Sequence, residues 1–186
     1  KKYKSKILGS DSDKDRIPGI DIFLKDNQKQ KIGNLEFKVI FTPGHTKGHI
    51  VYFFNKEKIA FTGDTLFSLG CGRVFEGTYE EMYNSLKKIK SLPLDTKIYC
   101  GHEYTKSNLN FCSAYDSRNY LLKKKEIDIQ KKLNSNQPTI PSTLEQEIKT
   151  NIFLRCNDPD VKQALGLKDS SEIEVFSKLR DLKDSF

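Results

Sequence analysis

The sequence predicts an α+β protein, with a layered sheet-and-helix domain over residues 1–107 and an α-helical domain over residues 108–186. Short apolar runs rich in β-branched and aromatic residues dominate the first half of the chain, and a single amphipathic helical pattern interrupts them. Beyond Tyr104 the patterning turns helical and lysine-rich. A chain of 186 residues can bury one sizeable core or a main domain with an appendage, and it is too short for two full-sized domains.

The stretch ahead of Ile20 is polar and rich in Lys, Ser and Asp, and the strand pattern starts after it. Ile20–Leu24, Glu36–Phe41, Ile50–Phe54 and Lys58–Thr62 alternate or run apolar in strand fashion, and Asn55–Glu57 reads as a tight hairpin turn. Thr78 and Glu81 form a T-x-x-E capping box, after which Met82, Leu86 and Ile89 recur on one face up to Leu92-Pro93. That pattern predicts an amphipathic helix, and Thr96–Cys100 supplies the next strand. Asn108–Leu133 reads as helix, Gln137–Pro141 as a proline-bounded linker, and Ser142 with Glu145 as the cap of a further helix. The sequence contains no internal repeat and no low-complexity tract.

Composition narrows the partners. An apolar share of 36%, a mean hydropathy of −0.62 and the lack of any long uncharged apolar run exclude a membrane span. No secretory signal opens the chain, so a cytoplasmic monomer is expected. The net charge of +7 comes mostly from scattered lysines, with Lys123–Lys125 and Lys131–Lys132 the densest runs. Such charge reads as a solvated face, or as attraction for a small anion; the lysines lack the interleaved aromatics of a nucleic-acid platform, and no nucleic acid is expected. Cys71, Cys100, Cys112 and Cys156 form no C-x-x-C pair and read as free thiols.

Three segments carry the chemistry: T-P-G-H-T-K-G-H (Thr42 to His49), G-D-T (Gly63 to Thr65) and G-H-E-Y-T (Gly101 to Thr105). Each puts a metal-capable side chain just past a predicted strand, and His45, His49 and His102, the chain's 3 histidines, all fall inside them. Pro43 fixes φ and Gly44 allows close backbone approach, which would hold His45 rigidly at a sheet edge. A carboxylate at Asp64 can bridge two cations with its two oxygens, which an imidazole cannot do. Strand-then-glycine-then-ligand units converge naturally at one sheet edge, so His45, Asp64 and His102 are the candidate metal ligands. His49 opens the next strand and shares no helical face with His45; it reads as a hydrogen-bonding residue within the loop.

Together the motifs T-P-G-H-T-x-G-H, G-D-T-L-F, G-C-G-R-x-F-E-G-T, Y-C-G-H-E-Y-T, P-T-I-P-S-T-L and L-R-x-x-K-D-x-F resemble the hydroxyacylglutathione hydrolases, or glyoxalase II, of the metallo-β-lactamase superfamily. The resemblance runs from about Gly33 to Phe186. It implies part of an αββα sandwich followed by a helical glutathione-binding domain. It also implies a thiolester hydrolase that converts S-D-lactoylglutathione to D-lactate and glutathione, in methylglyoxal detoxification, at a binuclear zinc or zinc/iron centre. His45 would ligate one metal, His102 the other, and Asp64 would bridge them as the catalytic carboxylate. The family's glutathione contacts map onto Arg73, Phe75, Tyr104, Arg180 and Lys183, where Arg73 stands for a common lysine and Phe75 for a frequent tyrosine.

The family's T-H-x-H-x-D-H segment, the source of most of its metal ligands, would lie ahead of Lys1 and does not occur in this sequence. Each metal then keeps two ligands from His45, Asp64 and His102, whereas catalytic zinc takes about three plus a water. The expectation is a truncated chain that binds metal weakly and has little thiolesterase activity of its own. The alternatives are a catalytically inactive module that binds glutathione conjugates or a protein, and a sulfur dioxygenase of the same superfamily, which would share His45 and Asp64 but lack the helical extension.

Overall fold

The computed structural model describes residues 5–186, so the first four positions of the expected sheet domain lie outside the described residues. Six strands form a mixed sheet: β3 (Lys29–Ile32), β4 (Leu35–Phe41), β5 (Ile50–Phe54), β6 (Ile59–Gly63), β9 (Lys97–Cys100) and β10 (Ser142–Thr143). Their order is β10-β9-β6-β5-β4-β3, with β6 and β9 parallel and every other pair antiparallel. The parallel step needs a crossover, and α1 (Tyr79–Lys90) supplies it. Two small pairs flank the sheet: β1 (Leu8–Ser10) with β2 (Ile22–Leu24), and β7 (Leu66–Phe67) with β8 (Gly70–Cys71).

The pleat sorts the apolar residues to two faces. Ile40, Val51, Phe53, Ala60 and Ile98 enter the main core, while Phe37, Val39 and Phe54 join Leu24 on the opposite face under β1 and β2. On that second face Phe37 packs edge-on against Tyr52, with ring centroids 5.1 Å apart. The α1 capping box forms as expected between Thr78 and Glu81, and the helix buries Met82, Leu86 and Ile89 fully against the main core. Each of those side chains contributes roughly 1.5–3 kcal/mol of burial free energy. Ser85 on the same helix donates to the Pro43 carbonyl at 2.7 Å, which ties the His45 loop to the core.

Helices α2 (Thr105–Tyr115), α3 (Tyr120–Asn134), α4 (Leu144–Thr150), α5 (Pro159–Ala164) and α6 (Glu172–Asp184) complete the chain. They share the main core with α1: Phe111 stacks on Phe153 at 5.8 Å, and Phe176 meets Tyr83 at 5.5 Å. Among the described residues no helix is long and apolar enough to cross a membrane.

The structure corrects the sequence reading at three places. The predicted helix Asn108–Leu133 is two helices, because Asp116-Ser117-Arg118-Asn119 is a turn in which Asn119 donates to Asp116 and caps α3 by accepting from Leu121 and Leu122. The cap of α4 is Thr143 with Gln146, one residue later than Ser142 with Glu145, because Ser142 is taken up by β10 opposite Ile98. The polar stretch ahead of Ile20 contains β1, whose parallel pairing with β2 satisfies its backbone despite a short apolar run.

Candidate metal centre

Three strands end at one side of the sheet and deliver the three predicted ligands to one another. His45 follows β4, Asp64 follows β6, and His102 follows β9 after one glycine. The backbone holds Asp64 by close approach. Gly63 lies at φ 48°, and a Cβ there would sit 2.7 Å from His49 Nε2; a Cβ on Gly101 would sit 2.5 Å from Asp64 Oδ1. Both glycines leave room that any larger residue would take from the site.

His45 Nε2 lies 3.3 Å from Asp64 Oδ2, and His102 Nε2 lies 3.5 Å from the same oxygen. His45 Nδ1 is 2.8 Å from the Arg73 carbonyl, which can only accept, so Nδ1 donates there and Nε2 is the ring nitrogen left to face the carboxylate. Tetrahedral zinc, with bonds near ~2 Å, separates neighbouring ligand atoms by about 3.3 Å. The two nitrogen–oxygen separations match that spacing, so these residues fit a pair of ions that share Asp64. Among the described residues no group of three His, Cys, Asp or Glu side chains is placed to hold one ion together.

A cavity of about 570 Å³ opens over this cluster, and all eight residues singled out from the sequence line it: His45, Asp64, His102, Arg73, Phe75, Tyr104, Arg180 and Lys183. Two of them back the ligands directly. Tyr104 stacks on His102 with centroids 4.9 Å apart and rings 17° from parallel, and Phe75 leans on His45 at 5.0 Å. Arg73 is exposed, with its Nε 3.3 Å from Asp184 Oδ1. Lys183 donates to Ser107 Oγ at 3.0 Å; burial and the nearby Arg180 and Arg73 guanidinium groups push it below the usual ammonium range. Arg180 is only 3% exposed: it donates to the Cys71 carbonyl and to Asp184, both at 2.9 Å, and its plane lies over Phe153.

Sequence reasoning passed over Asp184 and Phe67. Asp184 stands four residues after Arg180 on α6, a helical ion-pair spacing, and it reaches Arg73 as well. Phe67 reaches the cavity from the β7–β8 hairpin, where two-residue strands leave no periodic signal.

Comparison with known proteins settles the family. The profile for the metallo-beta-lactamase superfamily matches residues 2–102, and the profile for the hydroxyacylglutathione hydrolase C-terminus matches residues 103–186. A hydroxyacylglutathione hydrolase of Pelagibacter ubique is 54% identical over 185 residues, covering 100% of this chain and 72% of that protein. The chain belongs to the hydroxyacylglutathione hydrolase family. A second family member, from Chelativorans sp., is 48% identical over 97% of this chain and 71% of its own length. Among solved structures, ETHE1 from Myxococcus xanthus aligns with a TM-score of 0.61 at 21% identity, over 96% of this chain and 58% of that one. A metallo-beta-lactamase from Staphylococcus aureus gives the same score and identity over 98% of this chain and 50% of that one. Both structures show a shared metallo-β-lactamase fold, and the chain spans between half and two thirds of their length.

In this family member His49 is a node beside the His45–Asp64–His102 cluster. Its Nε2 accepts from the Asp64 backbone at 3.1 Å, so Nδ1 carries the proton and faces Thr42 Oγ1 and Thr65 Oγ1, each at 2.9 Å. The hydrogen-bonding role read from the sequence therefore extends beyond its own loop to the G-D-T segment. Burial and the nearby His45 depress the His49 pKa from 6.5 to about 4, against an opposing pull from Asp64. Because the unfolded chain takes up this proton first, stability falls as pH drops through the window from 6.5 to about 4. A His49→Gln variant is expected to be weaker at neutral pH and to lose less on acidification, as urea titrations at neutral pH and at about pH 4.5 would show.

Proposed function

We propose that this chain carries the metal-dependent hydrolysis of glutathione thiolesters, with S-D-lactoylglutathione giving D-lactate and glutathione. Support comes from the names of its relatives and from one observation above all: a single cavity is lined both by the His45–Asp64–His102 cluster and by the cations Arg73 and Lys183. His45, Asp64 and His102 would hold the zinc ions, or zinc with iron, and the bound metal would polarise the carbonyl and supply a water acidic enough to attack near neutral pH.

The chain's own residues do the rest. Glutathione carries two carboxylates, and Arg73 and Lys183 offer fixed positive charge to them, with Tyr104 and Phe75 as apolar walls. Seating the thiolester there brings its carbonyl over the cluster, which turns attack into an intramolecular step. Water's oxygen bonds to the carbonyl carbon and its protons pass to solvent, the C–S bond breaks with its electron pair left on sulfur, and the departing thiolate needs no proton donor. Arg180 is already engaged by Cys71 and Asp184, so its proposed part is to hold Asp184, and through it Arg73, in place.

A second reading is an inactive binder of glutathione conjugates, since the cavity's Arg73 and Lys183 cations and its Tyr104 and Phe75 walls serve binding with or without turnover. The thiolester's ultraviolet absorbance separates the two. Zinc-dependent loss of S-D-lactoylglutathione supports the hydrolase; binding of S-hexylglutathione without turnover supports the binder; neither sinks both. In either case Arg73→Ala is expected to weaken S-hexylglutathione binding by roughly fivefold at low salt and less at high salt, because the exposed guanidinium acts through a screened charge. Isothermal titration at two ionic strengths reads this out.

A further inference from the structure

The β7–β8 hairpin and the two residues that follow it contact both candidate ligand imidazoles. The Phe67 ring lies edge-on to His102 at 6.1 Å, and Arg73, two residues past β8, holds His45 Nδ1 through its carbonyl. Nothing about its length would make the hairpin rigid, since each strand has two residues. Its turn also places Leu69, a fully buried leucine, at φ 59°, where L side chains are rare and persist only if the surroundings fix the backbone.

The helical half of the molecule supplies that constraint. Asn151, which is fully buried, donates through Nδ2 to the Gly70 carbonyl at 3.0 Å, to the Phe67 carbonyl at 3.3 Å and to Glu147 Oε2 at 3.2 Å. Glu147, likewise fully buried, accepts from the Leu69 backbone at 2.7 Å and pairs with Lys125. Asn108 donates to the Ser68 carbonyl at 3.0 Å. All four turn residues are thus bonded by side chains from α2, α4 and the residue after α4.

We infer that Asn151 is a positioning residue for the metal centre: by fixing the Phe67–Gly70 turn it sets the orientation of His45 and His102. This rests on the reading of His45, Asp64 and His102 as metal ligands. Asn151 bonds both ends of the turn, whereas Glu147 bonds its middle and spends its charge on Lys125. The two residues therefore separate metal affinity from stability.

The test compares Asn151→Ala with Glu147→Gln, each assayed for zinc affinity by competition with a colorimetric chelator at a temperature where circular dichroism shows native helix. Thermal midpoints are recorded alongside. Asn151→Ala is expected to weaken zinc binding by about tenfold or more, in the range of other residues that orient metal ligands. Glu147→Gln keeps an acceptor for Leu69 and is expected to lower the midpoint while holding zinc affinity within about twofold. Unchanged zinc affinity in folded Asn151→Ala overturns the inference, as does a fall in both variants that simply follows their midpoints. If Asn151→Ala fails to fold, Asn108→Ala, which removes only the Ser68 bond, is read by the same criterion. Absence of zinc binding by the unaltered chain overturns the metal-site reading and this inference together, whereas zinc binding indifferent to Asn151 overturns this inference alone.

Discussion

Asp64→Asn is expected to lower zinc affinity by about a hundredfold or more, beyond the range seen for residues that only support ligands. Asp64 Oδ2 is the atom both imidazoles face, so its charge is what an ion on either side would share. The amide keeps the size of the side chain and its backbone hydrogen bond to His49, so the loop stays in place. The fold is therefore expected to survive while both half-sites fail at once, and chelator competition with a thermal melt on the same sample checks the two statements separately. A loss confined to one ion, or a melt shifted as far as the affinity, would mean that Asp64 does not bridge.

Lys125→Met is expected to produce the largest loss of stability, about 3 kcal/mol, because it leaves the Glu147 carboxylate buried without its cation. The remaining donors, the Leu69 backbone, Asn151 and Ser68, hold the loss at the lower end of what broken buried pairs cost. Removing the orphaned charge as well, in Lys125→Met with Glu147→Gln, is expected to recover part of the loss, since the penalty belongs to the unpaired charge more than to the pair. Urea unfolding of the two single variants and the double variant measures this coupling. An additive double variant would show that Lys125 acts through its methylene packing alone.

Much of the fold was legible because its elements carry local signals. β4 and β5 alternate or run apolar over five to seven residues, and Thr78 with Glu81 announces α1. The ligands were legible for a related reason: strand, glycine and metal-capable side chain occur together three times, and proximity in space follows from strands ending at one sheet edge. The missed elements depend on contacts distant in sequence. β1 exists because β2 pairs with it, and β10 because β9 offers an open edge to Ser142 and Thr143. The clamp on the β7–β8 turn is the clearest case. Glu147 and Asn151 look like polar residues at the end of a helix, and only the fold brings them about eighty positions back along the chain to Leu69, Phe67 and Gly70.

Arg180 shows the converse. Its place in a motif pointed to contact with a ligand carboxylate, yet the side chain is buried over Phe153 and already paired with Asp184 and the Cys71 carbonyl. Charge and spacing locate such a residue at the site, where it lines the cavity, while its burial and existing bonds are visible only in the fold.

The most direct measurement is anomalous scattering at the zinc edge from zinc-soaked crystals of this chain. Two peaks are expected, one beside His45 Nε2 and one beside His102 Nε2, both in contact with Asp64 Oδ2. A single peak away from Asp64, or none at saturating zinc, would contradict that expectation.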